Sequence, residues 1–374
     1  MGAGARDFRI KEPPPTIFPT EHQSKTARPR RSAEDSETGK WTWSSKDRLR
    51  FGKENWASSF LSIHLALSFD KIGCGSEAQN QINLFCSSLT LHYLCIMEKE
   101  KMTAGPIGVF DSGYGGLTIL SEMRRLMPQY DYIYLGDNAR APYGSRSFDI
   151  VYQFTLQAVR HLFDSGCRLV ILACNTASAK ALRTIQQNDL PKIDPTRRVL
   201  GVIRPTVEVL GQLTHTGNIG VLGTAGTIQS GSYPMEIAKM YPDYHTYGQA
   251  CPMWVPLVEY READGDGADY FVKKYVDMLF AQQPAIDTVV LGCTHYPLLY
   301  QKIKRYIPEG VSIVKQGTIV ADSLKDYLSR HPEMESRCAK GGGCEYRTTE
   351  SSEKFSTMAS VFLSDNIEAK HITF

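Results

Sequence analysis

The chain has no long apolar run, no excess of either charge, no phosphate-binding signature and no regular cysteine spacing. Each absence removes a class of function. No stretch reaches the roughly 18–20 consecutive apolar residues that cross a bilayer. Pro13-Pro14-Pro15 interrupts the place where the apolar core of a signal peptide would lie. The 42 Lys and Arg against 40 Asp and Glu give a formal charge of +2, too little to argue for a nucleic-acid partner. Gly113-Tyr114-Gly115-Gly116 is not a dinucleotide fingerprint, because Thr118 takes the place of the third glycine, and no Walker lysine follows. Nine cysteines at irregular spacings in 374 residues do not make a disulfide framework, and an odd number leaves at least one thiol unpaired. Neither Cys293-Thr294-His295 nor His331 with Cys338 and Cys344 supplies four ligands at a familiar zinc spacing, so no metal is expected. The expected protein is cytoplasmic, needs neither membrane nor nucleic acid, and keeps its cysteines as working thiols in a reducing compartment.

What is present points to an enzyme built from repeated strand–loop–helix units. A chain of this length, 42% hydrophobic, suits two ordinary domains or one duplicated one. Residues 1–101 differ from the rest. Up to about Asn55 they are polar, Pro-rich and dense in mixed charge, as in Arg28-Pro29-Arg30-Arg31, and the more apolar part that follows lacks a clean period. This segment is expected to be a disordered extension or a mis-assigned start, with the folded protein beginning near Met97 or Met102. A small regulatory domain is the alternative.

From Pro106 onward, strands alternate with helices. Ile107–Phe110, Tyr132–Leu135, Leu169–Leu172, Val199–Ile203, Ile219–Leu222 and Val289–Leu291 read as strands, with one more at Ser312–Val314. Helical periods cover Leu117–Met127, Phe148–Ser165, a stretch ending near Met240, Asp269–Gln282, Ile319–Leu328 and Lys354–Leu363. A strand entering a Gly/hydroxyl loop occurs at Asp111 and again at Thr224. A strand ending in cysteine follows 174 − 111 = 63 and 293 − 224 = 69 residues later, a weak internal duplication. The expected architecture is α/β, with two similar domains of mainly parallel sheet facing each other across a central cleft. The first comprises residues 106–198 plus 311–374, and the second residues 199–310. Ligands of such sheets bind at the carboxyl ends of strands, which would bring both cysteine strand ends to one cleft.

The chemistry lies at those strand ends. Leu169-Val170-Ile171-Leu172 leads into Ala173-Cys174-Asn175-Thr176, and Val289-Val290-Leu291-Gly292 leads into Cys293-Thr294-His295. Inverting a carbon next to a carboxylate needs a base on one face and an acid on the other, roles that two thiols can exchange. A free thiol near pKa ~8.5 moves toward working pH beside a helix N-terminus or a cation. The bland alternative is a pair of small buried hydrophobes, which two matching contexts make less attractive than one would. His295 and Asp111 could hold or return a thiol proton or meet a substrate ammonium; a locally bonded helix-start residue and an N-cap are the alternatives. Ser112, Asn175, Thr176, Thr224 and Thr294 suit a carboxylate at a helix mouth, although each alone is more often a cap. Arg140 reads as a structural ion-pair partner.

Ile107–Leu120 (IGVFDSGYGGLTIL), Tyr134–Gly144 (YLGDNARAPYG), Ala173–Ala179 (ACNTASA), Gly220–Tyr233 (GVLGTAGTIQSGSY) and Leu291–Leu299 (LGCTHYPLL) together resemble the glutamate racemases. These are cofactor-independent enzymes of the aspartate/glutamate racemase superfamily. The resemblance runs from about Pro106 to the C-terminus. It implies interconversion of L-glutamate and D-glutamate for peptidoglycan synthesis without pyridoxal phosphate or metal, in a protein that is usually a homodimer. It makes Cys174 the thiol facing the D-substrate's proton and Cys293 the thiol facing the L-substrate's. Asp111-Ser112, Tyr143-Gly144, Asn175-Thr176 and Thr294-His295 match substrate-binding positions, Asp111 and His295 also assisting proton transfer. Glu259 matches an acidic residue near the site in some members. Tyr114 and Arg204 depart from the usual pattern, and Tyr114 is expected to narrow the cleft entrance. A racemase of another acidic amino acid such as aspartate, and a non-catalytic regulatory binder of the same fold, are the rival readings.

Overall fold

Apolar runs that stop at a glycine or a polar residue form strands covered on both faces. In the computed structural model, which describes residues 103–363 and 367–374, they build two sheets. The expectations for residues 1–101 lie outside the described residues. The first stretch runs β1 (Ile107–Asp111), α1 (Leu117–Leu126), β2 (Tyr132–Gly136), α2 (Phe148–Asp164), β3 (Leu169–Leu172), α3 (Asn175–Lys180) and β4 (Arg198–Gly201). The chain then crosses over through α4 (Ile203–Glu208) to β5 (Asn218–Gly223), α5 (Ala225–Gln229), α6 (Ser232–Met240), β6 (His245–Ala250), α7 (Trp254–Glu259), α8 (Asp266–Gln282) and β7 (Thr288–Gly292). After α9 (Tyr300–Tyr306), β8 (Ser312–Val314) and α10 (Gln316–Arg330), it returns to the first sheet with β9 (Cys344–Thr348), α11 (Ser352–Ala359) and β10 (Ala369–His371).

Every strand pair among the described residues is parallel. The orders are β10-β9-β2-β1-β3-β4 and β6-β5-β7-β8. Stripped of β9 and β10, the first sheet has the same 2-1-3-4 order as the second, so the duplication visible in the motifs is also a duplication of topology. The order reverses at β1 and at β5. The carboxyl ends of β1 and β3, and of β5 and β7, therefore flank the switch points where open α/β sheets bind ligands. Asp111 and Cys174 stand at one; Thr224 and Cys293 stand at the other.

Strand pairing corrects the expected division at two places. The strand foreseen at Val199–Ile203 ends at Gly201 and pairs with β3, Leu172 opposite Gly201, so it belongs to the first sheet rather than to residues 199–310. Ile203 instead starts α4, whose Ile203 and Val207 pack with Ile219, Val221 and Val290 of the second sheet. Pro205 fits there because the first turn of a helix has no backbone partner for its missing N–H. Ser312–Val314 pairs with β7, not with the first sheet. In both cases a short crossover lays the next parallel strand beside its predecessor, a relation that composition does not reveal. The helix foreseen up to Met240 is broken at Gly231, whose φ of 65° lies in the left-handed region.

The cores follow from strand alternation. On β1, Ile107 and Val109 point to a cluster with Leu120, Met123 and α10's Leu324, while Phe110 points to the opposite face with Val151, Leu162 and Leu172. The long α10 thus leaves the second sheet and packs on α1 of the first. The α2 helix opens on Ser147, whose hydroxyl accepts the Ile150 N–H.

Candidate active site

The first switch point gathers a carboxylate, a hydroxyl and a thiol. Asp111 closes β1 fully buried, and its Oδ1 accepts the Gly113 N–H at 2.9 Å. Burial pushes its carboxyl above the usual range, against the pull of the charge on His295. Cys174 is the N-cap of α3, where Sγ accepts the Ala177 N–H at 3.5 Å and lies 3.4 Å from Ser112 Oγ. A helix mouth favours a thiolate, yet burial, reinforced by the negative charge of Asp111, pushes this thiol up to about 12; Ser112 and the Ala177 N–H only moderate the effect. The expected lowering by the helix N-terminus is thus outweighed by desolvation. A cation brought beside it is what would bring the thiol down.

The second switch point carries its own cation. Cys293 Sγ lies 3.9 Å from His295 Nδ1, and Nε2 of the same ring lies 3.0 Å from Glu259 Oε1 at the end of α7. Burial would pull the imidazole down, but its bonds to Cys293 and Glu259 push it up to about 10. His295 is therefore a charged partner for Cys293 near neutral pH.

Short contacts join the two centres. Thr294 Oγ1 reaches Asp111 Oδ2 at 3.4 Å, and Thr118 Oγ1 donates to the Thr294 carbonyl at 3.1 Å. Gly115 makes this approach possible: a Cβ there would stand 2.3 Å from Thr294 Oγ1 and 2.4 Å from His295 Nδ1. Thr176, Thr224 and Thr227 form a triangle of hydroxyls with edges of 3.0, 3.1 and 3.2 Å, tying the mouth of α3 to that of α5. Gly144 follows suit, its carbonyl accepting the Gly226 N–H at 2.7 Å. A charge on Cys293 would push Cys174 up further, so the two sulfurs share one electrostatic environment.

Two expected substrate contacts have their side chains already engaged. The Tyr143 hydroxyl donates to Asp137, a buried carboxylate that also takes Arg140 Nε at 2.7 Å and the Thr349 hydroxyl at 2.8 Å. Arg140 is indeed an ion-pair partner. The Asn175 amide bonds Gln316 and Tyr233. Tyr114 packs on Phe355 and Phe362 and lines a cavity of about 660 Å³ with Asn138, Pro142, Glu259 and Glu350. Arg204 sits away from these groups, paired with Glu208 at 3.0 Å on the surface. Sequence reasoning did not single out Gly115, Thr227, Tyr233 or Gln316. The first three lie inside the quoted motifs, whereas Gln316 carries no signal at all. No helix among the described residues is long and apolar enough to cross a membrane.

The model of the Asp/Glu/Hydantoin racemase family matches residues 117–324. The chain is 39% identical to the glutamate racemase of Ruegeria sp. (strain TM1040) over 267 residues, which cover 69% of this chain and 96% of that protein. It is 42% identical to the glutamate racemase of Persephonella marina over 220 residues, 59% of this chain and 81% of that one. Among solved structures, a glutamate racemase isoform from Bacillus anthracis superposes with a TM-score of 0.65 at 34% identity, covering 72% of this chain and 97% of that one. The Francisella tularensis glutamate racemase in complex with D-glutamate gives 0.64 at 29% identity, with the same coverage. On matches that run along nearly the whole of such relatives, the chain belongs to the Asp/Glu/hydantoin racemase family and, within it, to the glutamate racemases.

Proposed function

We propose that the protein interconverts L-glutamate and D-glutamate by proton transfer at Cα between two thiols, supplying D-glutamate for peptidoglycan synthesis in the cytoplasm. The observation that carries the mechanism is the pairing of each strand-end thiol with its own charged auxiliary: Asp111 acts on Cys174, and the His295–Glu259 pair acts on Cys293.

With D-glutamate bound, the Cys174 thiolate removes the Cα proton. The C–H bond breaks, an S–H bond forms, and the electron pair stays on Cα, spread into the carboxylate. The Cys293 thiol then delivers its proton to the opposite face and is left as a thiolate beside the charged His295. L-glutamate runs the same steps in reverse. Desolvation opposes ionisation of Cys174, and the substrate ammonium, held near the Asp111 carboxylate, supplies the missing positive charge. Ser112, Thr176, Thr224, Thr294 and the Asn175 amide surround that position with neutral donors for the substrate's carboxylates, and Tyr143 contributes by fixing the Gly144 backbone through Asp137. The two α/β halves close on the substrate from either side, in a homodimer.

Incubation with L-glutamate in D₂O tests the reading. Circular dichroism should decay toward zero, and the product should carry deuterium at Cα. Absence of exchange with either glutamate enantiomer would remove the proposal, and exchange confined to aspartate would replace the substrate. Light scattering during size exclusion reads the homodimer separately.

A further inference from the structure

Behind the mouth of α3, three buried side chains close a ring of hydrogen bonds. Asn175 Nδ2 donates to Gln316 Oε1 at 2.6 Å, Gln316 Nε2 donates to the Tyr233 oxygen at 3.0 Å, and the Tyr233 hydroxyl donates to Asn175 Oδ1 at 2.8 Å. Each member gives one bond and receives one, all in the same rotational sense. The three come from separate elements: Asn175 opens α3 after β3, Tyr233 stands in α6 after β5, and Gln316 opens α10 after β8. The ring therefore spans both sheets. It sits beside Cys174, one residue from Asn175.

The direction of the ring is not free. Thr206 donates its hydroxyl hydrogen to the Val202 carbonyl at 2.7 Å, which leaves its oxygen only able to accept. That oxygen takes the second hydrogen of Gln316 Nε2 at 2.8 Å. Gln316 must then present its nitrogen to Thr206 and its oxygen to Asn175. A flipped Asn175 would set its own oxygen against Gln316 Oε1, acceptor against acceptor, between two buried side chains. The chain Thr206–Gln316–Asn175 thus sets which end of the Asn175 amide carries nitrogen, and the Tyr233 hydroxyl, donating to Asn175 Oδ1, holds the oxygen end in place. Asn175 Nδ2 makes a single hydrogen bond among the described residues, which leaves its second N–H, at the residue next to Cys174, for a ligand.

We propose that Gln316 is a positioning residue for substrate recognition: through the ring it locks the Asn175 amide in the orientation that offers an N–H donor to a substrate carboxylate. The inference rests on Asn175 being a substrate contact, as read above. It assigns to Gln316 and Tyr233, both buried, a role in affinity exercised through Asn175.

Steady-state kinetics on Asn175→Ala, Gln316→Leu, Tyr233→Phe and the Gln316→Leu/Tyr233→Phe double variant test it. One weakened hydrogen bond corresponds to roughly a three- to tenfold effect. Gln316→Leu and Tyr233→Phe should each raise KM for glutamate by that factor, with kcat changed less than about twofold. The double variant should be no worse than the worse single, because either change already opens the ring. Tyr233→Phe keeps the packing and carries the test if Gln316→Leu fails to fold. An increase in KM for Asn175→Ala without one for Tyr233→Phe overturns the role of the ring. Strictly additive losses overturn its action as a unit. No change of KM in Asn175→Ala overturns the underlying assignment of Asn175 and the proposal with it.

Discussion

Glu259 Oε1 stands 3.0 Å from His295 Nε2, while the other nitrogen of the same ring faces Cys293 Sγ at 3.9 Å. The imidazole is thus held between a carboxylate and a thiol, and these two partners overcome a burial that alone would discharge it. Glu259→Gln keeps the shape and removes the charge. His295 should then lose its proton at lower pH, moving the alkaline limb of the pH–rate profile down and reducing kcat about ten- to hundredfold. Superimposable profiles for the variant and the parent would show that Glu259 does not set the charge of His295.

The same histidine links stability to pH. Its proton is held up to about pH 10 in the folded protein, against 6.5 for an unperturbed imidazole. A proton bound more tightly in the folded state stabilises fully below 6.5, and that stabilisation drains away as pH rises toward 10. The loss over this window is on the order of a few kcal/mol. Urea unfolding of parent and His295→Gln at several pH values reads it as a difference: the gap should be widest near pH 6 and narrow toward pH 10. A gap that stays constant would mean that the histidine is not held charged.

Gly115 tests the seam between the two centres. Any side chain there meets Thr294 Oγ1 and His295 Nδ1 well inside contact distance, at 2.3 and 2.4 Å, and both of those residues are buried. Gly115→Ala should cost on the order of 1–3 kcal/mol of stability. It should also lower kcat by about a hundredfold, since a displacement near 1 Å at reacting groups has that effect. Thermal melts and kinetics on one preparation distinguish a displaced site from an unfolded protein. A variant with parental kcat would place the seam elsewhere.

The thiols were legible because β3 and β7 are short apolar runs rich in β-branched residues with abrupt polar ends, as strands buried on both faces are. The second sheet's edge was not. β6 reads His-Thr-Tyr-Gly-Gln-Ala and is mostly half-exposed, so it lacks the apolar signal; β9 and β10 are similar. Ile203 looked like the end of a strand because β-branched residues favour one, but packing against the second sheet makes it a helix start. Allocation of β4 and β8 to the wrong halves has a plainer cause: pairing joins residues far apart in the chain. Gln316 is the extreme case, 141 residues from the Asn175 that it orients, and nothing local distinguishes it from any polar residue at a helix start.

The two-thiol scheme makes a finer prediction than loss of activity. Cys174→Ser and Cys293→Ser should each lower racemisation at least a thousandfold, because inversion needs both faces. Proton exchange needs only one. Cys293→Ser retains Cys174, which faces the Cα proton of D-glutamate; in D₂O that variant should exchange the proton of D-glutamate without inverting it, and leave L-glutamate untouched. Cys174→Ser should show the mirror-image preference, with Cys293 and His295 exchanging the proton of L-glutamate alone. Proton NMR of the Cα signal together with optical rotation separates exchange from inversion. Full racemisation by either variant would refute the scheme, and exchange of the opposite enantiomer would reverse the assignment of faces. Exchange should also be the slower in Cys293→Ser, since no cation among the described residues acts on Cys174, which depends on the substrate ammonium to ionise, whereas Cys293 has the charged His295 beside it.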